Sequence, residues 1–286
     1  IMSNNVDEQL FFYSSEFLKS SQARSLRILS EYYGPLQRLQ KNNIADTIVF
    51  FGSARLKSQE AARAAMETES STADNMQMKR LETDLEMSRY YEDARTLAGK
   101  FTKWSKGLKG TKRRYIICSG GGPGIMEAAN KGAKEHDVES IGLNIDLPFE
   151  QTLNPFTTKE LTFDYFFSRK VMLVKYSMAY VIFPGGFGTL DELFESLTLV
   201  QTKKVTGVKI FIIGKEFYQP LLNFIKEKLF ADGMINKEDL EIIKLTDDLE
   251  CVVDEIEVSL SKQIEVLEDV GLENTSYYKS LSSLRK

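Results

Sequence analysis

Short apolar runs alternate with segments of helical periodicity along most of the chain. The runs have the length and the content of branched and aromatic residues expected of buried strands. The segments between them repeat apolar residues at the helical spacing. This alternation predicts a mostly parallel sheet with helices on both faces and a ligand site at the carboxyl ends of the strands. The predicted strands are 46–51, 114–118, 140–147, 160–166, 179–183, 208–213 and an edge strand, 241–245.

We predict one Rossmann-like, doubly wound α/β domain over residues 46–250, with a helical extension at each end. Residues 1–45 are mostly helical in pattern, and Gly34-Pro35 is expected to break or kink the helix there. Residues 56–87 form a helical insertion, for which two short helices and a mobile segment both fit. Residues 251–286 are predicted to form a terminal helix and a Ser- and Lys-rich tail that frays.

A glycine-rich turn joins the apolar run 179–183 to the amphipathic segment that begins at Leu190. A turn between a strand and a helix presents backbone N–H groups, and the helix start adds the positive end of its dipole. The sequence therefore predicts a phosphate site at this turn. Its candidate phosphate-binding residues are Gly185, Gly186, Gly188 and Thr189.

Glu192, in the first turn of the predicted helix, has two interpretations. Residues 189–192 fit a capping box, with Thr189 as the N-cap and Glu192 folded back onto the N-cap N–H. Alternatively, Glu192 faces a bound ligand. The glycines at 185, 186 and 188 favour a ligand, because a cap needs no glycine whereas close approach of a ligand to the backbone does.

Two further glycine turns follow predicted strands, after Phe51 and after Cys118. Each alone could be an ordinary tight turn or a packing position. Two such turns on neighbouring strands are better explained by a phosphorylated ligand. The turn after Cys118 lacks the Lys-Ser/Thr of a P-loop and the acidic residue of a dinucleotide fingerprint. The candidate binding residues of these turns are Gly52, Ser53, Gly121, Gly122 and Gly124.

These motifs resemble the Lonely Guy family of nucleoside monophosphate phosphoribohydrolases, whose members are often labelled lysine decarboxylases. P-G-G-F-G-T-L-D-E over 184–192 matches the family signature P-G-G-x-G-T-x-x-E. Arg169-Lys170 matches an upstream Arg-Lys pair, and residues 120–127 match a Gly-Gly-Gly-Pro-Gly-Ile-Met-Glu stretch. The three elements occur in family order, and the similarity covers residues 46–213.

The resemblance implies hydrolysis of the N-glycosidic bond of a nucleoside 5′-monophosphate, without a cofactor. It assigns Glu192 to the ribosyl centre, Arg169 to the ribose or phosphate beside it, and Lys170 to substrate binding. Ser168 is a candidate cap of the helix that carries Arg169 and Lys170. Read from the residues alone, the basic residues of this helix could instead form a solvated face. The alternative functions are a non-catalytic nucleotide or molybdenum-cofactor-type carrier and a pyridoxal-dependent decarboxylase.

Phe167-Ser168 precedes Arg169 where the short plant-type members often carry His and Glu. The extra terminal segments resemble the longer bacterial branch of the family, so AMP is at least as good a candidate substrate as a cytokinin riboside monophosphate. The family also implies a homodimer or a larger oligomer. The helix 190–200 is the predicted interface, and simple burial on the sheet is the alternative.

Composition limits the classes of partner. The 286 residues are 42% hydrophobic and carry a net charge of −4, which argues against a dedicated nucleic-acid binder. Cys118, Cys251 and the single His136 are too few for a familiar structural zinc site, so no metal is expected. The sequence contains neither a signal peptide nor an apolar run of membrane-spanning length, which favours a cytoplasmic protein without a membrane partner.

Overall fold

The computed structural model describes residues 10–108, 113–147, 153–269 and 271–283. Across these residues, seven strands form one sheet in the order β4-β3-β2-β1-β5-β6-β7, and every neighbouring pair is parallel. The predicted α/β fold with a doubly wound sheet is therefore confirmed. The strands are β1 Thr47–Phe51, β2 Ile116–Ser119, β3 Ile141–Ile145, β4 Lys159–Phe163, β5 Ser177–Ile182, β6 Lys209–Ile212 and β7 Ile243–Leu245.

Helices connect the strands and flank the sheet at both ends of the chain. Short 3₁₀ segments lie at Ser21–Ala23 and Lys237–Ile242, and a π-helical turn at Ile225–Phe230 extends the ninth helix. The α-helices are α1 Ser15–Lys19, α2 Arg24–Lys41, α3 Gln59–Glu69, α4 Asn75–Met87, α5 Arg89–Lys106, α6 Ile125–Lys134, α7 Phe166–Tyr176, α8 Phe187–Gln201, α9 Lys215–Phe224, α10 Leu249–Asp269 and α11 Ser276–Ser282.

The sheet separates two hydrophobic cores, because successive side chains of a strand point to opposite faces. In β1, Ile48 and Phe50 belong to one core, and Val49 and Phe51 to the other. Helices α5, α6 and α10 cover the first core, while α2, α7, α8 and α9 contribute to the second. All five residues of β1 are buried, as expected for a central strand of a doubly wound sheet.

A buried ion pair joins the start of β1 to the start of β2. The Arg114 guanidinium contacts the Asp46 carboxylate, which also accepts the Tyr115 N–H at 2.6 Å. Asp46 and Arg114 are 4% and 8% exposed. Burial raises the pKa of Asp46, and the charge of Arg114 opposes that shift. The pair fixes these two strands at the end of the sheet opposite the predicted ligand site.

The terminal and inserted segments differ in part from expectation. Helix α2 continues through Pro35, so Gly34-Pro35 does not end it, although proline cannot donate the N–H that a helix interior uses. The insertion forms two helices, α3 and α4. The tail 273–286 was predicted to fray, but residues 276–282 form α11, whose Leu281 is fully buried in the first core, so the prediction is wrong there. Residues 284–286 lie outside the described residues. The predicted division into domains remains a prediction.

Candidate active site

Three glycine turns lie side by side at the carboxyl ends of the strands, because β2, β1 and β5 are adjacent in the sheet. A cleft of about 670 Å³ lies at the carboxyl ends of these strands. The strand ends of a parallel sheet are the usual place for a ligand in this fold class. Seven of the predicted site residues line the cleft: Gly52, Ser53, Arg169, Gly186, Gly188, Thr189 and Glu192.

Helix α8 begins at Phe187, three residues before the predicted start at Leu190. Its first intrahelical hydrogen bond runs from the Leu190 N–H to the Gly186 carbonyl at 3.0 Å. The three N–H groups before Leu190 are therefore free of helical partners and lie at the positive end of the helix dipole. Thr189 is a buried residue inside the helix, so the alternative interpretation of Thr189 and Glu192 as a capping box is wrong.

The Glu192 carboxylate instead turns toward α7. Arg169 Nη2 lies 3.1 Å from Glu192 Oε1, and both side chains line the cleft. The Glu192 side chain is 6% exposed and that of Arg169 14%. Burial raises the pKa of Glu192, while the charges of Arg169 and Lys170 oppose that shift. The arrangement is a shielded carboxyl group whose ionised form depends on an adjacent guanidinium.

Lys170 and Asp191 form a separate set of contacts beside the cleft. Lys170 Nζ lies 2.7 Å from Asp191 Oδ2 and 3.0 Å from Glu195 Oε2. These three residues border an open groove along α8 instead of the cleft itself. A substrate-binding role for Lys170 therefore remains a prediction, and its observed role is to tie α7 to α8. Ser168 lies inside α7, whose N-cap is Tyr165, so the predicted cap is wrong.

The glycines after β1 and β2 bring those two turns into direct contact. A Cβ at Gly124, where φ is +69°, would lie 2.3 Å from the Ser53 carbonyl oxygen. A Cβ at Gly52 would lie 2.6 Å from the Ile125 side chain. Gly121 has φ of +74° and packs against Gly142 of β3. The fold alone requires these glycines, so their roles in ligand binding remain predictions, as does that of Gly122.

The glycines before and within α8 behave differently from one another. A Cβ at Gly185 would lie 2.1 Å from Thr189 Oγ1, so this position needs glycine for packing. A Cβ at Gly186 or Gly188 would meet no atom of the described chain within 4 Å. Neither of these two has a positive φ. Free space at the cleft wall is what a ligand that approaches the backbone closely would need.

A buried polar network, which we did not predict, supports the turn after β2. Asn154 Nδ2 donates to the Gly121 and Gly122 carbonyls at 2.9 and 3.0 Å. Asn130 Oδ1 accepts from Asn154 Nδ2 at 3.0 Å and from Ser119 Oγ at 2.8 Å. Asn130 lies on an otherwise apolar face of α6. That buried polar residue is the one sequence signal that could have indicated the network.

Other features at the cleft also escaped prediction. The Phe187 side chain is 92% exposed and that of Phe166 is 51% exposed, and both line the cleft. Glu127, a residue of the matching 120–127 stretch, accepts a hydrogen bond from Tyr91 Oη at 2.7 Å. That contact joins α6 to α5 and assigns Glu127 to the fold. Within the described ranges, His, Cys, Asp and Glu side chains form no group of three that could hold a metal ion.

The fold and the cleft define a class of protein: a doubly wound α/β protein whose cleft is lined by the Arg169–Glu192 pair and by a glycine turn. A family model described as "Possible lysine decarboxylase" matches residues 126–256, which include Arg169 and Glu192. The chain is 33% identical over 115 residues to cytokinin riboside 5′-monophosphate phosphoribohydrolase LOG1 of Arabidopsis thaliana, covering 37% of this chain and 53% of that protein. The resemblance to the Lonely Guy family is thus confirmed, at modest identity.

Two other relatives are also similar to this chain. Identity is 36% over 78 residues with phosphoribohydrolase LOG of Oryza sativa subsp. japonica, covering 26% of this chain and 31% of that protein. An uncharacterized Archaeoglobus fulgidus protein is 30% identical over 99 residues, covering 34% of this chain and 62% of that protein. The chain therefore spans about half the length of the Arabidopsis relative, and about a third and three fifths of these two.

Two solved structures are similar in overall shape. The molybdenum cofactor binding protein of Rippkaea orientalis has 14% identity and a TM-score of 0.45, covering 74% of this chain and 94% of that one. The Moco carrier protein of Chlamydomonas reinhardtii has 16% identity and a TM-score of 0.44, covering 76% of this chain and 99% of that one. With this sequence identity and TM-score, the similarity does not show what the present chain binds.

The name of the family model implies pyridoxal phosphate, which is held in enzymes through a Schiff base to a lysine. Among the described residues that line the cleft, there is no lysine. Lys170, on the same helix as Arg169, is paired with two carboxylates outside it. The residues present do not fit that cofactor. In the part of the chain that the structure describes, no helix is long and apolar enough to cross a membrane.

Proposed function

We propose that this protein hydrolyses the N-glycosidic bond of a nucleoside 5′-monophosphate, releasing the free base and ribose 5-phosphate. The carrying observation is the Arg169–Glu192 pair, with its atoms 3.1 Å apart, on the wall of the cleft. AMP and cytokinin riboside 5′-monophosphates are the candidate substrates. LOG1 of Arabidopsis thaliana and LOG of Oryza sativa are named for hydrolysis of cytokinin riboside 5′-monophosphates.

The start of α8 is the proposed phosphate site. The free N–H groups before Leu190 and the helix dipole attract an anion, and the open space at Gly186 and Gly188 lets it reach the backbone. Ser53, on the neighbouring turn, lines the same cleft and can contribute its hydroxyl. Binding energy from the phosphate then holds the ribose in a fixed position relative to Glu192.

Glu192 acts where positive charge develops. As the bond between C1′ and the base breaks, the base leaves with the electron pair and the ribosyl centre becomes oxocarbenium-like. An ionised carboxylate beside that centre lowers the barrier electrostatically and can accept a proton from the attacking water. The water supplies the hydroxyl group at C1′, and the departing base takes up one proton.

Arg169 has two tasks in this scheme. Its charge opposes the effect of burial on the pKa of Glu192, which keeps the carboxylate ionised in a shielded position. Its remaining N–H groups are suited to ribose hydroxyls or phosphate oxygens, since a guanidinium stays charged and donates in fixed directions. The pair would thus be needed for hydrolysis, whereas a carrier would need only the anion site.

The test is release of free base from a panel of nucleoside monophosphates, followed by chromatography. We expect release from AMP or a cytokinin riboside monophosphate, reduced by at least about a hundredfold in Glu192→Gln and in Arg169→Ala. Lys175→Ala, which removes an exposed cation from the helix that carries Arg169, is the matched control and should keep activity. Binding of nucleotides without release of base would refute hydrolysis and favour a non-catalytic carrier.

A further inference from the structure

We infer that the N-terminal extension positions Arg169, because Glu31 of α2 caps the helix that carries it. This inference rests on the proposed function for its catalytic consequence. It assigns Glu31 and Arg27 as positioning residues that act through Tyr165. Neither residue lines the cleft, and both lie in a segment outside the match to the family model.

The Glu31 carboxylate supplies the cap that α7 lacks in its own sequence. Its Oε1 accepts the Asp164 N–H at 2.6 Å, and its Oε2 accepts the Tyr165 N–H at 3.2 Å. Tyr165 is the N-cap of α7, and its phenol group makes no capping hydrogen bond to the described chain. A carboxylate at this place satisfies two backbone donors and also suits the positive end of the helix dipole.

Two arginines of α2 contact the Tyr165 side chain. Arg27 Nε donates to Tyr165 Oη at 3.2 Å, and the Arg24 guanidinium lies 5.7 Å from the ring centroid. Arg27 Nη1 donates to the Leu18 and Ser20 carbonyls at 2.7 Å each. The N-terminal segment is therefore tied to α2 by the same side chain that reaches α7.

The path from Glu31 to the cleft is short. Arg169 donates its backbone N–H to the Tyr165 carbonyl at 3.2 Å, which closes the first turn of α7. From that turn the Arg169 guanidinium reaches Glu192, and Phe166 of the same turn lines the cleft. Loss of the cap would let the first turn open, and Arg169 would then spend less time beside Glu192.

Loss of the cap should therefore have a signature in the pH profile. Glu192 faces Arg169 and Lys170 from α7, Asp191 and Glu195 from its own helix, and the Tyr180 hydroxyl from β5. Because Arg169 lowers the pKa of Glu192, a displaced Arg169 moves the acid limb of kcat/KM to higher pH. A purely structural weakening of α2 would leave that limb in place.

The experiment compares Glu31→Ala, Glu31→Gln and Arg38→Ala in the full-length protein. Arg38→Ala is the matched control, since it removes an exposed charge from the same helix. Hydrogen exchange of residues 166–170, read by mass spectrometry, should be fastest in Glu31→Ala and intermediate in Glu31→Gln, whose amide oxygen still accepts one bond. We expect kcat/KM to fall by about threefold to thirtyfold in Glu31→Ala, from the known range for lost caps.

Each outcome decides the inference. Exchange of residues 166–170 that is unchanged in Glu31→Ala would overturn it, whether or not the protein hydrolyses nucleotides. Faster exchange with unchanged kcat/KM and an unmoved acid limb, in a protein whose wild type is active, would overturn the positioning role. Absence of base release by the wild type would refute the proposed function alone, since the exchange comparison needs no substrate. Tyr165→Phe, which removes only the acceptor for Arg27, should give a smaller increase in exchange.

Discussion

Replacing Gly188 by alanine should separate ligand binding from folding. A methyl group at Gly188 meets no described atom within 4 Å, and the residue lies in the first turn of α8 with an ordinary φ. Alanine is favoured over glycine in a helix by about 0.5–1 kcal/mol, so the variant should be equally or more stable. For a chain of this size the gain corresponds to ~2–4 °C in Tm per kcal/mol.

The same methyl group lies where the phosphate is proposed to meet the backbone. A hydrogen bond to a charged group contributes about 1.5–3 kcal/mol. Loss of one such bond would weaken binding by about tenfold to 150-fold, since about 1.4 kcal/mol corresponds to a factor of ten. Titration calorimetry with ribose 5-phosphate measures this directly and needs no turnover. Gly186→Ala has the same free space and should weaken binding similarly, but Gly186 is the N-cap of α8, where alanine is disfavoured, so no gain in stability is expected there.

Gly124→Ala provides the contrast. A Cβ there would lie 2.3 Å from the Ser53 carbonyl oxygen, and φ is +69°. Backbone strain and overpacking together should lower the free energy of unfolding by about 2–6 kcal/mol. The main effect of this variant should therefore be on stability, not on binding. Unchanged affinity for ribose 5-phosphate in a folded Gly188→Ala protein would refute the proposed phosphate site. A large loss of stability in Gly188→Ala would refute the reasoning about free space.

Two further predictions concern charge. The acid limb of kcat/KM should lie above the pKa of an exposed glutamate, because burial raises the pKa of Glu192 and activity is lost when its carboxylate takes up a proton. A pH series measures this limb. A limb at or below the pKa of an exposed glutamate would contradict the role of Glu192. Asp46→Asn removes the carboxylate of the buried Asp46–Arg114 pair and should lower the free energy of unfolding, measured in denaturant titrations, by about 3–5 kcal/mol. Glu216→Gln, which removes the carboxylate of the exposed Arg89–Glu216 pair, should change it by less than about 1 kcal/mol.

The strands could be predicted because their signal is local. A central strand such as β1 is buried along its whole length, so its apolar run is continuous. The glycine that follows the run marks where the strand ends. The edge strand β7 is only half-buried, yet a short apolar run still marked it. Apart from placing the turns after Phe51 and Cys118 on neighbouring strands, the sequence did not predict the sheet order, because that order depends on contacts between segments far apart in the sequence. The adjacency of the three turns is a consequence of that order.

Contacts between α7 and α8 decide where two side chains at the site point. Thr189 and Glu192 match a capping box locally, but the contact with Arg169 across to α7 decides where Glu192 points. Lys170 is next to Arg169 in the sequence, yet it lies on another side of α7, because successive residues of a helix are about 100° apart. Its pairing with Asp191 and Glu195 follows from that rotation.

The structure divides the matching motifs into residues that build the cleft and residues that face it. Gly124 and Glu127 are accounted for by their contacts with Ser53 and Tyr91, which do not depend on what the protein binds. The free space at Gly188 and the buried Arg169–Glu192 pair have no such structural account. A shielded carboxylate and its guanidinium carry a desolvation cost that a more apolar pair would avoid. Their presence at the cleft wall is therefore the stronger argument for chemistry there, and the glycine motifs alone would support only binding of an anion.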